Sequence, residues 1–392
     1  MSTTFGKGCH LHLIDGSAFI FRAYHALPPL TRKSDGLPIG AVSGFCNMLQ
    51  RYVEGNAGSD VTHVAVIFDK GSHTFRNDMY DLYKANRDAM PEDLRPQMPL
   101  TREATRAFNI ACEEIEGYEA DDIIATLAVQ ARAAGGRCTI ISSDKDLMQL
   151  VGDGVEMLDA MKNKTIDREG VHEKFGVYPE RVVDVQALAG DSVDNVPGAP
   201  GIGIKTAALL INEYGNLEDL LDRAEEIKQP KRRQTLIDNR AQIELSKRLV
   251  QLDCETPLEF TLDDLEVREP IADELIDFLA RMEFRTLTKR ISEALDAPMP
   301  EIKDVAVTAP SDAPEAVSFE EATYSCVQDM AALQPWIDHA YARGYVAVDT
   351  ETTGLNDMRA DLVGISLCTE AGKACYIPLT HKDAGTDDLF GS

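Results

Sequence analysis

An α/β fold built on a parallel sheet covered on both faces is predicted by three observations: short apolar strands, helical stretches between them, and an acidic residue closing each strand. The strands fall at residues 10–14, 64–68 and 138–142 and read as short apolar runs, the kind a sheet buried on both faces requires. Helical periodicity lies between them at 41–54, 100–111 and 121–134, with Ile124, Leu127, Ala128 and Ala131 on one 3.6-residue stripe of the last. In a sheet of this kind ligands sit beyond the carboxyl ends of the strands. The residues delivered to that edge are Asp15 after the first strand, Asp69 after the second, and Asp144 and Asp146 after the third.

Composition bounds what such a chain can be. At 392 residues it exceeds one ordinary domain, and with 44% hydrophobic residues it can bury real cores. No run of eighteen apolar residues occurs, and residues 1–10 lack a basic-then-apolar leader, so a soluble cytoplasmic protein without membrane contact is expected. The eight cysteines are scattered without a Cys-x-x-Cys pair, and the eight histidines form no ligand spacing. A net charge of −27 excludes attraction of nucleic acid by the whole surface. Any such contact must be local, at Arg76, Lys84 and Arg87, at Lys205, or at the run Lys228, Lys231, Arg232 and Arg233, a kind of run that more often forms a solvated helix face.

Glu119, Asp121 and Asp122 open the helix before the third strand and add to the acidic edge. Singly, Asp15 suits an Asp-Gly turn, while Asp121 and Asp146 suit helix caps. Together, seven carboxylates aimed at one edge repel unless cations neutralise them, and an oxygen-only donor set suits Mg²⁺ or Mn²⁺. Residues 74–99 are rich in charge, tyrosine and proline; Lys84 and Arg87, three apart, share a face if that stretch is helical. The stretch 190–210 brings two more carboxylates, Asp191 and Asp194, directly before Gly201, Gly203, Lys205 and Thr206. A Gly-x-Gly turn at a helix start presents backbone N–H groups and a positive dipole end to an anion, which is one way to hold a nucleic-acid backbone without reading bases.

Four stretches carry a family resemblance: Tyr-Lys-Ala-Asn-Arg (83–87), Gly-Tyr-Glu-Ala-Asp-Asp (117–122), Asp-Lys-Asp-Leu-Met-Gln-Leu (144–150) and Gly-Asp-Ser-Val-Asp-Asn-Val-Pro-Gly (190–198). In this order they resemble the N-terminal 5′ nuclease domain of the bacterial DNA polymerase I family, part of the flap endonuclease superfamily, over residues 11–290. The resemblance implies a PIN-like 5′ nuclease fold with a helical helix-hairpin-helix (H3TH) subdomain. It also implies two Mg²⁺ or Mn²⁺ ions, the first held by Asp15, Asp69, Glu119 and Asp121 and the second by Asp121, Asp144, Asp146 and Asp194. Asp122 and Asp191 would support them through water or from behind. Lys84 and Arg87 match the basic pair of the family's arch, and Gly201 to Thr206 its DNA-gripping turn, which in relatives can hold a monovalent cation. The implied reaction is two-metal hydrolysis of DNA with ions ~3.5–4 Å apart, selective for a duplex with a 5′ end or 5′ flap, including an RNA primer on DNA. The implied setting is replication and repair, by a monomer at the nucleoid.

Residues 217–291 read as helical, closed by one amphipathic run at 272–291 containing Leu275, Ile276, Leu279, Met282, Phe284 and Leu287. The expected organisation is a catalytic α/β domain at 1–175, the helical subdomain at 176–292, an Ala/Pro/acid-rich linker at 293–322 and a further unit at 323–392. In that unit a helix at 330–342 and a strand at 345–348 lead to Asp349 and Glu351, which alternate onto one side and suit one cation; strands at 362–367 and 374–378 would follow antiparallel. This resembles the opening of a ribonuclease H-like 3′-5′ exonuclease domain. No later exonuclease or polymerase motif follows, so an N-terminal fragment or shortened gene product is expected, with half an exonuclease site. Two other readings stand beside the nuclease: a clamp that binds DNA without cutting, and a PIN-like ribonuclease, against which the hairpin turn counts.

Overall fold

Strand β1 (His10–Asp15) is buried along its whole length, and that burial dictates the layers around it. Leu11 and Leu13 enter one core and Ile14 enters the other, on the opposite face of the sheet. The structure is a computed structural model that describes residues 4–160, 162–299, 323–354, 360–370 and 372–379, and it divides into two units, Met1–Val305 and Ala306–Ser392.

In the first unit β1 leads through α1 (Gly16–Ala26) and α2 (Gly40–Asn56) to β2 (His63–Ile67), then through α3 (Phe75–Met79) and α4 (Gln97–Ala107) to β3 (Ala111–Glu113). Helix α5 (Ala120–Ala133), β4 (Arg137–Ile141), β5 (Val155–Asp159) and β6 (Lys164–Ile166) complete the sheet. Its order is β3-β2-β1-β4-β5-β6, with β1 pairing parallel to both β2 and β4. The order reverses at β1 and β4, so the connections leaving these two strands part to opposite faces and open a crevice between them. The three expected strands are present within one residue.

Three strands are additional. Helix α4 ends at Ala107 because Asn109 adopts φ +57, so residues 108–110 turn the chain and Ala111, expected to finish that helix, opens β3 instead. Strand β5 alternates in burial and β6 is three largely exposed residues, patterns with no continuous apolar run to reveal them. Because β6 runs antiparallel to β5, the sheet is parallel except at that edge.

The chain continues through α6 (Arg168–Phe175), α7 (Val182–Ala189), α8 (Ile204–Tyr214), α9 (Leu217–Asp222), α10 (Pro230–Asp238) and α11 (Arg240–Val250), with α7 packed against both α8 and α11. The single amphipathic run expected at 272–291 is two helices, α12 (Ala272–Arg281) and α13 (Arg285–Ala294), broken where Glu283 takes φ +59. Their apolar stripes, Leu275, Ile276, Leu279, Met282, Leu287 and Ile291, share a core with α1, α2 and α4. The pair therefore covers the sheet's outer layer rather than extending the helices that precede it.

The second unit is a four-stranded sheet, β7-β10-β9-β8, formed by β7 (Thr323–Cys326), β8 (Ala347–Thr352), β9 (Leu362–Glu370) and β10 (Lys373–Pro378), with α14 (Met330–Arg343) against β9. Strands β8, β9 and β10 pair antiparallel as expected, while β7, which pairs parallel to β10, is additional. Residues 300–322 of the expected linker and 380–392 of the expected last domain lie outside the described residues. Among the described residues no helix is long and apolar enough to cross a membrane.

Candidate active site

Five segments deliver carboxylates to the crevice: the ends of β1, β2 and β4, the start of α5 with Glu119 and Asp121, and the loop between α7 and α8. Asp15 ends β1 and caps α1, one oxygen accepting the Ala18 N–H at 2.9 Å and the other the Ser142 hydroxyl at 2.8 Å. Asp69, beyond β2, accepts the Ser17 hydroxyl at 2.6 Å and the Ala120 N–H at 2.9 Å, which ties the starts of α1 and α5 to one side chain. Beyond β4, the Asp144 N–H donates to Ser142 Oγ at 3.0 Å, and Asp144 accepts the Asp146 N–H at 2.9 Å. Asp146 itself accepts from the Gln186 amide on α7.

Asp191 and Asp194 come from the loop between α7 and α8. Backbone bonds between Asp191 and Val196, 2.9 and 2.7 Å, close it. Gly190 and Gly198 meet at its base with φ +70 and +58; a Cβ on Gly198 would stand 2.4 Å from the Gly190 nitrogen, so only glycine fits. The 80–87 segment is fastened to this loop: the Lys84 N–H donates to the Asp194 carbonyl at 2.9 Å, and the Asn86 side chain to the Ser192 carbonyl at 2.7 Å.

Together these segments enclose a cavity of about 440 Å³ lined by Asp15, Asp69, Glu119, Asp121, Asp144, Asp146, Asp191 and Asp194. Lys84, Arg87, Lys145 and Lys174 line it as well. Lys84 reaches Glu119 at 2.6 Å, Lys145 pairs with Asp191, and Arg87 with Asp194. Loss of hydration disfavours the Lys84 ammonium, but Glu119 and Asp194 overcome this and hold it above its ordinary pKa. The other five carboxylates, Asp15, Asp69, Asp121, Asp144 and Asp146, have no such ion pair among the described residues, and three of them are shifted. Burial, with help from Asp69 and Asp144, pushes Asp15 up to about 6. Burial and Asp144 push Asp146 up to about 7, and Asp121 is driven well above its ordinary value by burial and by Asp144, Asp15 and Asp69. Among the described residues no three acidic, histidine or cysteine side chains close on one point as a ready-made ion site; side-chain cations take up several of the carboxylate oxygens instead.

Two expected site residues lie elsewhere. Asp122 is fully buried behind Glu119, and Arg76, expected to touch DNA, is 1% exposed. They form a two-pronged pair, both N–O distances 2.7 Å, and the Arg76 guanidinium also donates to the carbonyls of Leu249 and Gln251 at the end of α11. Asp122 further accepts the N–H groups of Glu119 and Asp253. Its oxygens are thus consumed by a structural cross-link, and Arg76 caps a helix end whose dipole favours a cation. Lys84 and Arg87 do reach the cavity, but not from a helix face: the segment is a series of turns in which Lys84 adopts φ +56.

At the hairpin turn Gly201 takes φ +76, and Gly201, Gly203 and Lys205 are exposed while Ile202 anchors the turn in the core; Thr206 is half-buried. The first N–H groups of α8 have no acceptor within the helix. Asp349 and Glu351 occupy alternate, exposed positions of β8, described within the second unit alone. Residues not foreseen are Ser17 and Ser142, which orient Asp69 and Asp15, Tyr83, whose hydroxyl donates to Glu119 at 3.2 Å, and Lys145 and Lys174. Lys145, between Asp144 and Asp146, and Tyr83, next to Lys84, sit inside the quoted motifs and could have been read there. A larger cavity of about 710 Å³ beside α7 contains Arg168, Arg181 and Lys247, but Glu180 and Asp184 already pair with them.

Comparison with known proteins adds the following. Residues 10–176 match the family described as 5′-3′ exonuclease, N-terminal resolvase-like domain; 177–273 match 5′-3′ exonuclease, C-terminal SAM fold; and 324–388 match 3′-5′ exonuclease. DNA polymerase I of Rhizobium leguminosarum is 48% identical across 98% of this chain, which spans 44% of that relative. The 5′-3′ exonuclease of Aquifex aeolicus is 36% identical across 72% of this chain and 95% of the relative. Among solved structures, T5 5′-exonuclease with bound zinc superposes at a TM-score of 0.54 and 22% identity, over 72% of this chain and 98% of that one; at this identity the likeness concerns the fold.

Proposed function

The chain belongs to the 5′-3′ exonuclease family, and from that premise we propose that it hydrolyses DNA as a structure-selective 5′-3′ exonuclease and 5′-flap endonuclease using two divalent cations. One observation carries this reading: with every group ionised, eight carboxylates against four side-chain cations give the cavity a formal charge of four negative, which two divalent ions would cancel and which, without them, pushes Asp15, Asp121 and Asp146 toward their protonated forms. The donors are oxygens, which favours Mg²⁺ or Mn²⁺. Asp15, Asp69, Glu119 and Asp121 would hold one ion and Asp121, Asp144, Asp146 and Asp194 the other, with Asp191 in support. When bound, the cations supply an activated water and stabilise the leaving 3′ oxygen.

The protein's own groups do the rest. Ser17, Ser142 and the N–H groups of Ala18 and Ala120 keep Asp15 and Asp69 in place. Lys84 and Arg87, which line the same cavity, would offset charge on the oxygens of the scissile phosphate. The Gly201–Gly203 turn with Lys205 and Thr206 grips the duplex backbone, and the same turn would be the place for a monovalent cation. Such contacts read shape, so the substrates are duplexes with a 5′ end or flap, an RNA primer on DNA among them. Products carry a 5′-phosphate and a 3′-hydroxyl. We place this activity at the nucleoid, in a monomer, serving replication and repair as the 5′ nuclease of a polymerase like the longer relatives.

The test is cleavage of a 5′-flap duplex labelled at both ends, with Mg²⁺ or with chelator, beside Asp144→Ala. Mg²⁺-dependent cutting near the flap junction that disappears in the variant is the expected result. Tight binding without cutting under Mg²⁺ or Mn²⁺ would replace the nuclease by a clamp.

A further inference from the structure

Three of the four cations lining the acidic cavity are engaged by its carboxylates, but Lys174 is exposed and has no carboxylate partner among the described residues. It stands in the last turn of α6, where a positive charge suits the helix dipole, and that alone would make it an ordinary surface lysine. Its setting is more particular. The residue after the helix, Gly176, takes φ +74 and turns the chain directly against α8: its carbonyl accepts the Asn212 side-chain amide at 2.8 Å, and a Cβ on it would stand 3.1 Å from that of Ala208. Ala208 lies three residues along α8 from Lys205, a rise of ~4.5 Å. Lys174 is therefore carried by the end of α6 that is seated on the hairpin helix, while it also lines the carboxylate cavity.

We propose that Lys174 binds a backbone phosphate of the strand running from the hairpin turn into the cavity, and so sets how far that strand advances. This rests on the nuclease reading above. A phosphate approaching the carboxylates is repelled; Lys84 and Arg87, paired with Glu119 and Asp194 here, are assigned above to the scissile phosphate, and Lys145 pairs with Asp191, so none of the three is left for a phosphate further along the strand. An uncommitted ammonium at the rim offsets that repulsion without reading sequence. Lys174 is a positioning residue here, since it acts on a phosphate other than the one being cut.

The experiment measures steady-state flap cleavage at saturating Mg²⁺ over a range of salt concentrations for the native chain, Lys174→Ala, Lys174→Arg and Lys164→Ala. Lys174→Ala is expected to raise KM with kcat near native, and to make the slope of log KM against log salt shallower by about one. Lys174→Arg restores both, and Lys164→Ala, a surface lysine near Glu173, leaves both unchanged. In a scan of single methylphosphonates along the cleaved strand, one position raises native KM but adds nothing in Lys174→Ala. An unchanged salt slope in Lys174→Ala, or failure of arginine to restore it, overturns the role of Lys174 while the native chain still cuts. A native chain that does not cut overturns the nuclease reading and this role together.

Discussion

Asp121 and Asp122 are neighbours in the first turn of α5, and they meet opposite environments. Asp122 points inward, where Arg76 matches it prong for prong and two backbone N–H groups complete its shell. Asp121 points into the crevice, where among the described residues no cation pairs with it, and burial together with four other carboxylates, Asp144, Asp15, Asp69 and Glu119, pushes its proton affinity up. The first carboxylate holds the α/β layer to the end of α11. The second stores repulsion that a bound cation would relieve. Chemically identical groups one residue apart thus divide stability from activity.

The sharpest test of this division is Asp121→Asn, which should cut flap cleavage on the order of 10²–10³-fold. The melting temperature of the metal-free chain should stay level or rise, since a repelling charge is removed. A large loss of stability would erase the contrast with Asp122. Conversely, Asp122→Ala or Arg76→Ala leaves one buried charge unpaired and should cost about 3–5 kcal/mol in urea unfolding, with cutting per folded molecule retained. Replacing both, Arg76→Met with Asp122→Leu, should recover most of that loss. If Asp122→Ala instead folds normally but cannot cut, the pair is catalytic after all.

The pH profile separates the two regions next. Asp15 and Asp146 have folded pKa values raised to about 6 and about 7, above the ordinary 3.8, so the folded chain binds more protons than the unfolded one in that interval. Their stabilising contribution is full below 3.8 and is lost as pH rises through 6 to 7. Thermal melts in chelator should therefore fall across this window, and Mg²⁺ should raise the melting temperature more at pH 8 than at pH 5. A smaller effect is expected at the hairpin: Lys205→Ala should weaken flap binding at every sequence alike, with a salt slope shallower by about one. The smallest is none: Asp349→Ala with Glu351→Ala should leave flap cleavage at its native rate.

The strands that carry the acids were legible because each is an apolar run ending on Asp, and strand polarity in a parallel sheet puts all those ends on one edge. Strands β5 and β6 were not, since β5 alternates over only five residues and β6 is an edge strand of three. Lys84 shows the intermediate case. Its destination was apparent from its motif, whereas its route, a turn residue at φ +56 hydrogen-bonded to the Asp194 backbone, depends on a loop more than a hundred residues away. Lys174 lay in no motif and gained meaning only when α6 was found seated on α8.

Order along the chain was sufficient to establish the α/β architecture, the acidic edge and the adjacency of carboxylates to a phosphate-binding turn, because these follow from local patterns and strand direction. Folding decided which acids remain in the crevice and which cation each meets. Arg76 reaches Asp122 across 46 residues and the Leu249 carbonyl across 173, and spacing in a sequence holds no record of such distances. A carboxylate's role depends on whether a cation, a hydroxyl or another carboxylate stands within ~4 Å of it, and only packing sets that.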